Sequence, residues 1–166
     1  MNTAHLHLLV NHFPIITPLL AGLILFFAIL MKSENSKRIA YFLFIVAGLA
    51  TMAAMATGDG AEDAVESIAG VTESSIEEHE ESAEVFAVLN YVLAVLSIIG
   101  LWASLKQKKF SALLSIAIVL LTVVSFFFAY QTGNSGGKIR HTELNSAVEN
   151  TAGIKSSQQL EEHDDD

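Results

Sequence analysis

The chain has 166 residues, 52% of them hydrophobic, a mean hydropathy of +0.48, no cysteine, and 18 Asp and Glu against 9 Lys and Arg for a formal charge of −9. That much apolar surface excludes an ordinary soluble domain. The acidic balance argues against nucleic acid and against an anionic-lipid anchor, and the missing cysteines exclude disulfides, iron–sulfur clusters and covalently attached c-type haem.

Four apolar runs, about 8–31, 39–56, 84–105 and 110–130, are each long enough to cross a hydrocarbon core at about 1.5 Å per residue. The predicted fold is all-α, a four-transmembrane-helix bundle over residues 1–141. An even number of spans puts both termini on one side. The first run opens with His5, His7 and His12, has no basic residue ahead of it and is too long for a signal-peptide core, so it reads as a retained span. Pro14 disfavours helix at Phe13, which predicts a helix start at Pro14 with His12 just before it. At about 100° per residue, His5 and His12 share a face and His7 points away from both.

Loops at 32–38 and 106–109 hold six of the nine Lys and Arg residues, while seventeen of the eighteen acids and all six histidines fall on the other side. By the positive-inside rule the two basic loops are cytoplasmic and the rest of the polar chain is extracytoplasmic, an N-out and C-out arrangement that fits a bacterial inner membrane. The second span carries a small-residue run, 47–54, that either leaves room for a cofactor or lets helices approach closely. Beyond it lies the acidic outer loop 57–83. There Ala61, Ala64, Val65 and Ile68 have the spacing of a short amphipathic helix ended by Gly70. Ser74 with Glu77, or Ser75 with Glu78, can form a capping box for the next helix. On that helix Ile76, His79, Ala83, Phe86 and Asn90 make one inward stripe. After the fourth span a Gly136-Gly137 turn precedes His141, and the acidic tail 142–166 reads as disordered, with His163 in solvent.

The two halves follow one design. His12 opens a span, a basic loop follows, and the second span ends at Thr57-Gly58-Asp59; His79 precedes a span, a basic loop follows, and the fourth ends at Thr132-Gly133-Asn134. Two repeated helical hairpins are expected, related by a pseudo-two-fold axis along the membrane normal, with the glycine after each second helix as a left-handed stop. In that scheme His12 and His79 are equivalent.

Several imidazoles at one end of an apolar four-helix bundle suit a cofactor held between helices. A b-type haem needs two axial ligands across a flat apolar disc, and cations near its propionates. His12 and His79 are the first candidates as the axial pair and His7 and His141 the second, for one or two haems, with Lys138 and Arg140 as cations on an acidic side. Met52 and Met55 are alternative ligands. The bland readings stand beside these: a histidine on an apolar face is often hydrogen-bonded core, and Lys138 and Arg140 can be solvated surface. Copper or zinc on the same histidines is the alternative cofactor, and a cofactor-free structural subunit of a larger membrane complex is the alternative function.

No ionisable residue lies deep in a span, which argues against a proton relay or ion path. No histidine lies near the cytoplasmic end, which argues against haems stacked across the membrane. The function read from the residues is a membrane-bound b-type cytochrome, an electron carrier rather than a stand-alone enzyme. Its expected partners are membrane lipid and a quinol, a periplasmic electron-transfer protein or a larger respiratory assembly.

The string His7-Leu8-Leu9-Val10-Asn11-His12-Phe13-Pro14-Ile15, the pair Thr57-Gly58, His79, and Thr132-Gly133-Asn134-Ser135-Gly136-Gly137-Lys138-Ile139-Arg140-His141 together resemble the bacterial membrane family catalogued as domain of unknown function 2231, over about residues 5–141. The resemblance implies four spans, a His-Pro…His-Phe-Pro opening, a central histidine and a Gly-Gly-x-Leu-Val-Tyr-x-His closing segment. This chain departs at Leu8, where the family pattern has proline, in one extra residue between His7 and His12, and in Lys138-Ile139-Arg140, where an apolar-aromatic run is usual. The resemblance implies that His7, rather than His5, belongs with His12, His79 and His141, and it brings no activity.

Overall fold

The computed structural model describes residues 3–66, 68 and 70–140, with the backbone alone at Arg140. The expected tail and His141 lie outside these residues. The described chain forms α1 (Thr3–Val10), α2 (Phe13–Leu30), α3 (Glu34–Met55), α4 (Asp59–Val65), α5 (Glu73–Leu105) and α6 (Ser111–Arg140), with no strand among the described residues. Four stretches are long and apolar enough to cross a membrane: α1 with α2 as Thr3–Leu30, then Glu34–Met55, Glu73–Leu105 and Ser111–Ile139. Their outward faces are apolar too, with Leu113, Val123, Leu120 and Phe42 well exposed. A helix that is apolar all round has no aqueous surface to offer, so this is a multi-pass membrane protein by length and composition.

Local chemistry sets the helix ends. Pro14 and Pro18 shape the start of α2, which begins at Phe13 with His12 at its N-cap, one residue earlier than the sequence suggests. Ser33 caps α3 by accepting from the Ser36 amide at 3.3 Å. For α5 the capping box is Thr72 with Ser75, each side chain bonding the other's backbone, and not a serine–glutamate pair.

Two expected glycine stops are absent. Gly58 has φ −62°, a right-handed value, and forms the N-cap of α4. α6 runs straight through Thr132-Gly133 and through Gly136-Gly137 to Arg140. The reason lies in packing, because α5 extends beyond the membrane stretch in the same direction and gives α6 a surface to follow. The short surface helix exists as α4 but ends at Val65, and Gly70, at φ 89°, turns the chain back.

The two turns at the basic end share one geometry. After α2, Lys32 N–H donates to the Ile29 carbonyl at 3.1 Å and Ser33 N–H to Ala28 at 2.9 Å; after α5, Gln107 N–H donates to Ser104 at 3.2 Å and Lys108 N–H to Ala103 at 2.9 Å. These are the paired bonds of a Schellman ending. Its left-handed position is filled by Lys32 at φ 52° and Gln107 at φ 50°, neither of them glycine. The turns are tied together across the bundle. Ser104 Oγ donates to Glu34 Oε2 at 2.7 Å, and Arg38 donates from Nε to Ser104 Oγ at 3.1 Å and from Nη2 to the Ser104 carbonyl at 3.3 Å.

The spans pack as a ring in the order α2, α3, α5, α6, with α6 returning to α2. Toward the basic end the core is Ala21, Leu25, Ala40, Tyr41, Phe44, Leu93 and Ile118. Gly100 admits the Tyr41 ring, whose hydroxyl meets Ser115 Oγ at 2.7 Å. The 47–54 run is used for close approach: a Cβ on Gly48 would stand 2.6 Å from the Ala94 Cβ. That places α3 hard against α5 at this point, the close approach that small residues permit.

Candidate functional site

Toward the acidic end the interior becomes polar. α1 is a separate helix because the chain breaks at Asn11 and His12, and it lies on α3 and α4, with Thr3 against Gly60. This placement turns His7 inward. Its Nδ1 stands 3.1 Å from the Ala54 carbonyl and 3.1 Å from Thr57 Oγ1, at the end of α3. A carbonyl only accepts, so the Nδ1 carries the hydrogen and the lone pair is left on Nε2.

His79 is held in the same manner between the other two spans. Its Nδ1 meets Ser135 Oγ at 3.1 Å, and Ser135 in turn donates to the Thr132 carbonyl at 3.1 Å. A hydroxyl that donates to a carbonyl accepts from the imidazole, which again assigns the hydrogen to Nδ1. Ser82 supports the arrangement, donating to the His79 carbonyl at 2.9 Å and lying 3.2 Å from Ser135 Oγ. Gly136 lets the ring lie against α6: a Cβ there would stand 3.0 Å from Cε1 and 3.3 Å from Nδ1 of His79.

His7 and His79 are close enough for their charges to interact. Both are half-buried, the side-chain hydrogen bonds of both rings fall on Nδ1, and the Thr132 carbonyl also bonds the His79 ring. His5 and His12 are exposed. The structure thus brings together His7 and His79 and leaves His12 at the α1–α2 break, facing out.

Lys138 pairs with Glu78 at 3.3 Å on the outer surface. His141 and the Arg140 side chain are outside the described residues. Met52 faces outward, 58% exposed. Of the stripe, Ile76, Phe86 and Asn90 are buried, and His79 and Ala83 are half-buried.

The polar neighbours of the pair are less evident from sequence. Asn11 follows His7 by one helical turn, and its Oδ1 is buried without a partner among the described residues; the same is true of Thr132 Oγ1. Deeper in the bundle Asn90, 1% exposed, donates to Thr51 Oγ1 at 3.0 Å and to the Pro14 carbonyl at 3.2 Å. One signal for it was available. Proline at position 18 cannot bond the carbonyl four residues earlier, and a carboxamide within an apolar span is a ready donor.

As a donor set, two imidazoles with Nδ1 tied to a carbonyl or hydroxyl match the arrangement in which protein histidines ligate metals. Two such donors satisfy the axial demand of a haem, which brings its own four equatorial nitrogens. Copper or zinc would draw on the same imidazoles, and no group of three or more candidate ligands occurs among the described residues, which leave out His141. The fit is in the ligands, His7 and His79.

Over the site lies the acidic face of α4 and the outer part of α5. There Glu62 is held above its ordinary carboxylate range, first by partial desolvation and then by the neighbouring charges of Glu80, Glu66, Asp59 and Asp63. Comparison of the chain with protein-family models, with curated proteins and with solved structures finds no match.

Proposed function

We propose that this is a membrane-bound b-type cytochrome whose haem is held by His7 and His79 at the acidic end, with electron transfer as its role. The observation that carries the reading is the pair of half-buried imidazoles whose Nδ1 atoms are both engaged. Bound haem would supply a one-electron couple. The chain's residues do the rest: Ala54, Thr57 and Ser135 fix the two rings, and Gly136 seats one of them.

The same geometry supports a two-hairpin design in which His7, rather than His12, is the counterpart of His79. In each half an early histidine ties its helix to the end of the next span, at Ala54 and Thr57 in the first and Ser135 in the second. The positive-inside rule then orients the basic turns to the cytoplasm and both termini outward, in a bacterial inner membrane. Membership of the family catalogued as domain of unknown function 2231 belongs to this proposal, as do a quinol, a soluble electron-transfer protein and a larger respiratory complex as partners.

A second reading rests on the same hydrogen bonds. With Nδ1 of each ring bonded across helices, the histidines serve as interhelical ties in a cofactor-free subunit. Copper held by the two rings is a third arrangement of the same donors.

Spectroscopy of detergent-purified protein, oxidised and then reduced with dithionite, separates them. A Soret band with sharp reduced α and β bands, lost in both His7→Ala and His79→Ala but kept in His12→Ala, supports the haem reading. A featureless spectrum after haem-replete expression overturns it, and metal analysis then divides copper from the structural subunit.

A further inference from the structure

The basic end has a chemistry of its own. Charge summed over the chain argues against anionic lipid, but this end taken alone carries Lys32, Lys37, Arg38, Lys106, Lys108 and Lys109 against the single carboxylate of Glu34. Two of the cations are used internally: Lys37 is buried and pairs with Glu34 at 2.7 Å, and Arg38 bonds Ser104. The other four, Lys32, Lys106, Lys108 and Lys109, are exposed and have no carboxylate within ion-pair distance among the described residues.

They stand where a membrane surface would run. Trp102, the only tryptophan, is 50% exposed on the last turn of α5, and the Lys108 ammonium sits over its ring at 5.9 Å from the centroid. An indole at the end of an apolar span marks the headgroup level, where its ring is amphipathic in the same sense as its surroundings. Met31, Leu105 and Phe110 are exposed on the same rim. Apolar side chains below, an indole at the boundary and unpaired ammonium groups above match the section of an anionic phospholipid, from acyl chain to phosphate.

We propose that Lys106, Lys108 and Lys109, with Trp102 below them and Lys32 on the neighbouring turn, form a binding site for the headgroup of an anionic phospholipid. The Glu34–Ser104–Arg38 bonds hold the two turns in a fixed relation, so the ammonium groups are gathered by the fold. Each surface lysine near a membrane contributes about 1 kcal/mol of attraction to anionic lipid. The site is independent of any cofactor at the opposite end.

Trp102 is a built-in reporter. In vesicles of dibrominated phosphatidylglycerol mixed with phosphatidylcholine, quenching of Trp102 gives the lipid selectivity of its surroundings. The expected preference for phosphatidylglycerol is at least about fivefold, the effect of a single lysine at the surface. It should fall to near unity in the triple variant Lys106→Gln, Lys108→Gln, Lys109→Gln, and in wild-type protein at about 1 M salt, where the screening length is about 3 Å. Equal quenching by both lipids in wild type at low salt overturns the proposal, as does a preference that survives high salt. The salt series needs no variant, so misfolding of the triple mutant does not blunt the test.

Discussion

Asn90 donates its carboxamide hydrogen to the carbonyl of Pro14 at 3.2 Å, across the interface between α5 and α2. Pro18 lacks the amide that would bond this carbonyl in a regular helix, so a residue 76 positions away completes the backbone of α2. An unpaired carbonyl in hydrocarbon is costly. Asn90→Ala should therefore destabilise the protein by about 1 kcal/mol, the usual size of an interhelical hydrogen bond in a membrane. In a Pro18→Ala background, where residue 18 regains its amide, that loss should shrink. Chemical or thermal unfolding of the four proteins of this cycle measures the difference, and equal losses in both backgrounds would refute the assignment.

Gly136 and Gly137 are neighbours with different surroundings. A Cβ at 136 would meet the His79 ring at 3.0 Å, whereas nothing lies within 4 Å of one at 137. Gly137→Ala should raise helix stability by up to about 1 kcal/mol. Gly136→Ala should gain less or lose outright and should perturb the His79 imidazole resonances in NMR spectra, which Gly137→Ala leaves in place.

The approach of α3 to α5 depends on Gly48. Adding a methyl group sets two Cβ atoms 2.6 Å apart, and Ala94 has no rotamer by which to retreat. Gly48→Ala should cost about 1–3 kcal/mol, typical of overpacking, and Ala94→Gly in the same chain should restore most of it. A melting-temperature series on the two single variants and the double variant tests this, with an additive result counting against the contact.

Acidity should tighten the face above the histidines. The carboxyl of Glu62 is raised from 4.5 by desolvation and then by its acidic neighbours, so the folded state binds its proton more readily than the unfolded state does. The resulting stabilisation is fully present below pH about 4.5 and is lost as pH rises through the raised folded value. Hydrogen exchange of the α4 amides, corrected for intrinsic rates, should be slower at pH 4 than at pH 7. Glu62→Gln should flatten that dependence and protect α4 at neutral pH.

The spans were legible in the sequence because hydrocarbon demands long apolar runs, and the inward stripe of α5 because its members recur at helical spacing. That His5 and His7 lie on different faces was legible as well. Which of the two faces turns inward was not, since it depends on where α1 settles against α3 and α4. The end of α3 was legible, but the end of α6 was not: glycine permits a stop but does not require one, and α6 continues through Gly133 because α5 offers it Ser82, His79 and Glu78 to pack and pair against. The resemblance set His7, rather than His5, beside His12, whereas the repeat of the two halves favoured His12 as the counterpart of His79.

The left-handed residue after α2 is Lys32, at φ 52°, where glycine would rest without strain. A side chain in that conformation costs about 1–2 kcal/mol. Lys32→Gly should thus yield a protein that melts later. It would also strip a cation from the first short loop to meet the insertion machinery, whose reading of charge decides which way a hairpin enters the bilayer. In the orientation proposed above, Lys32 trades thermal resilience for topological fidelity: a sturdier chain in the test tube, but one inserted backwards more often in the cell.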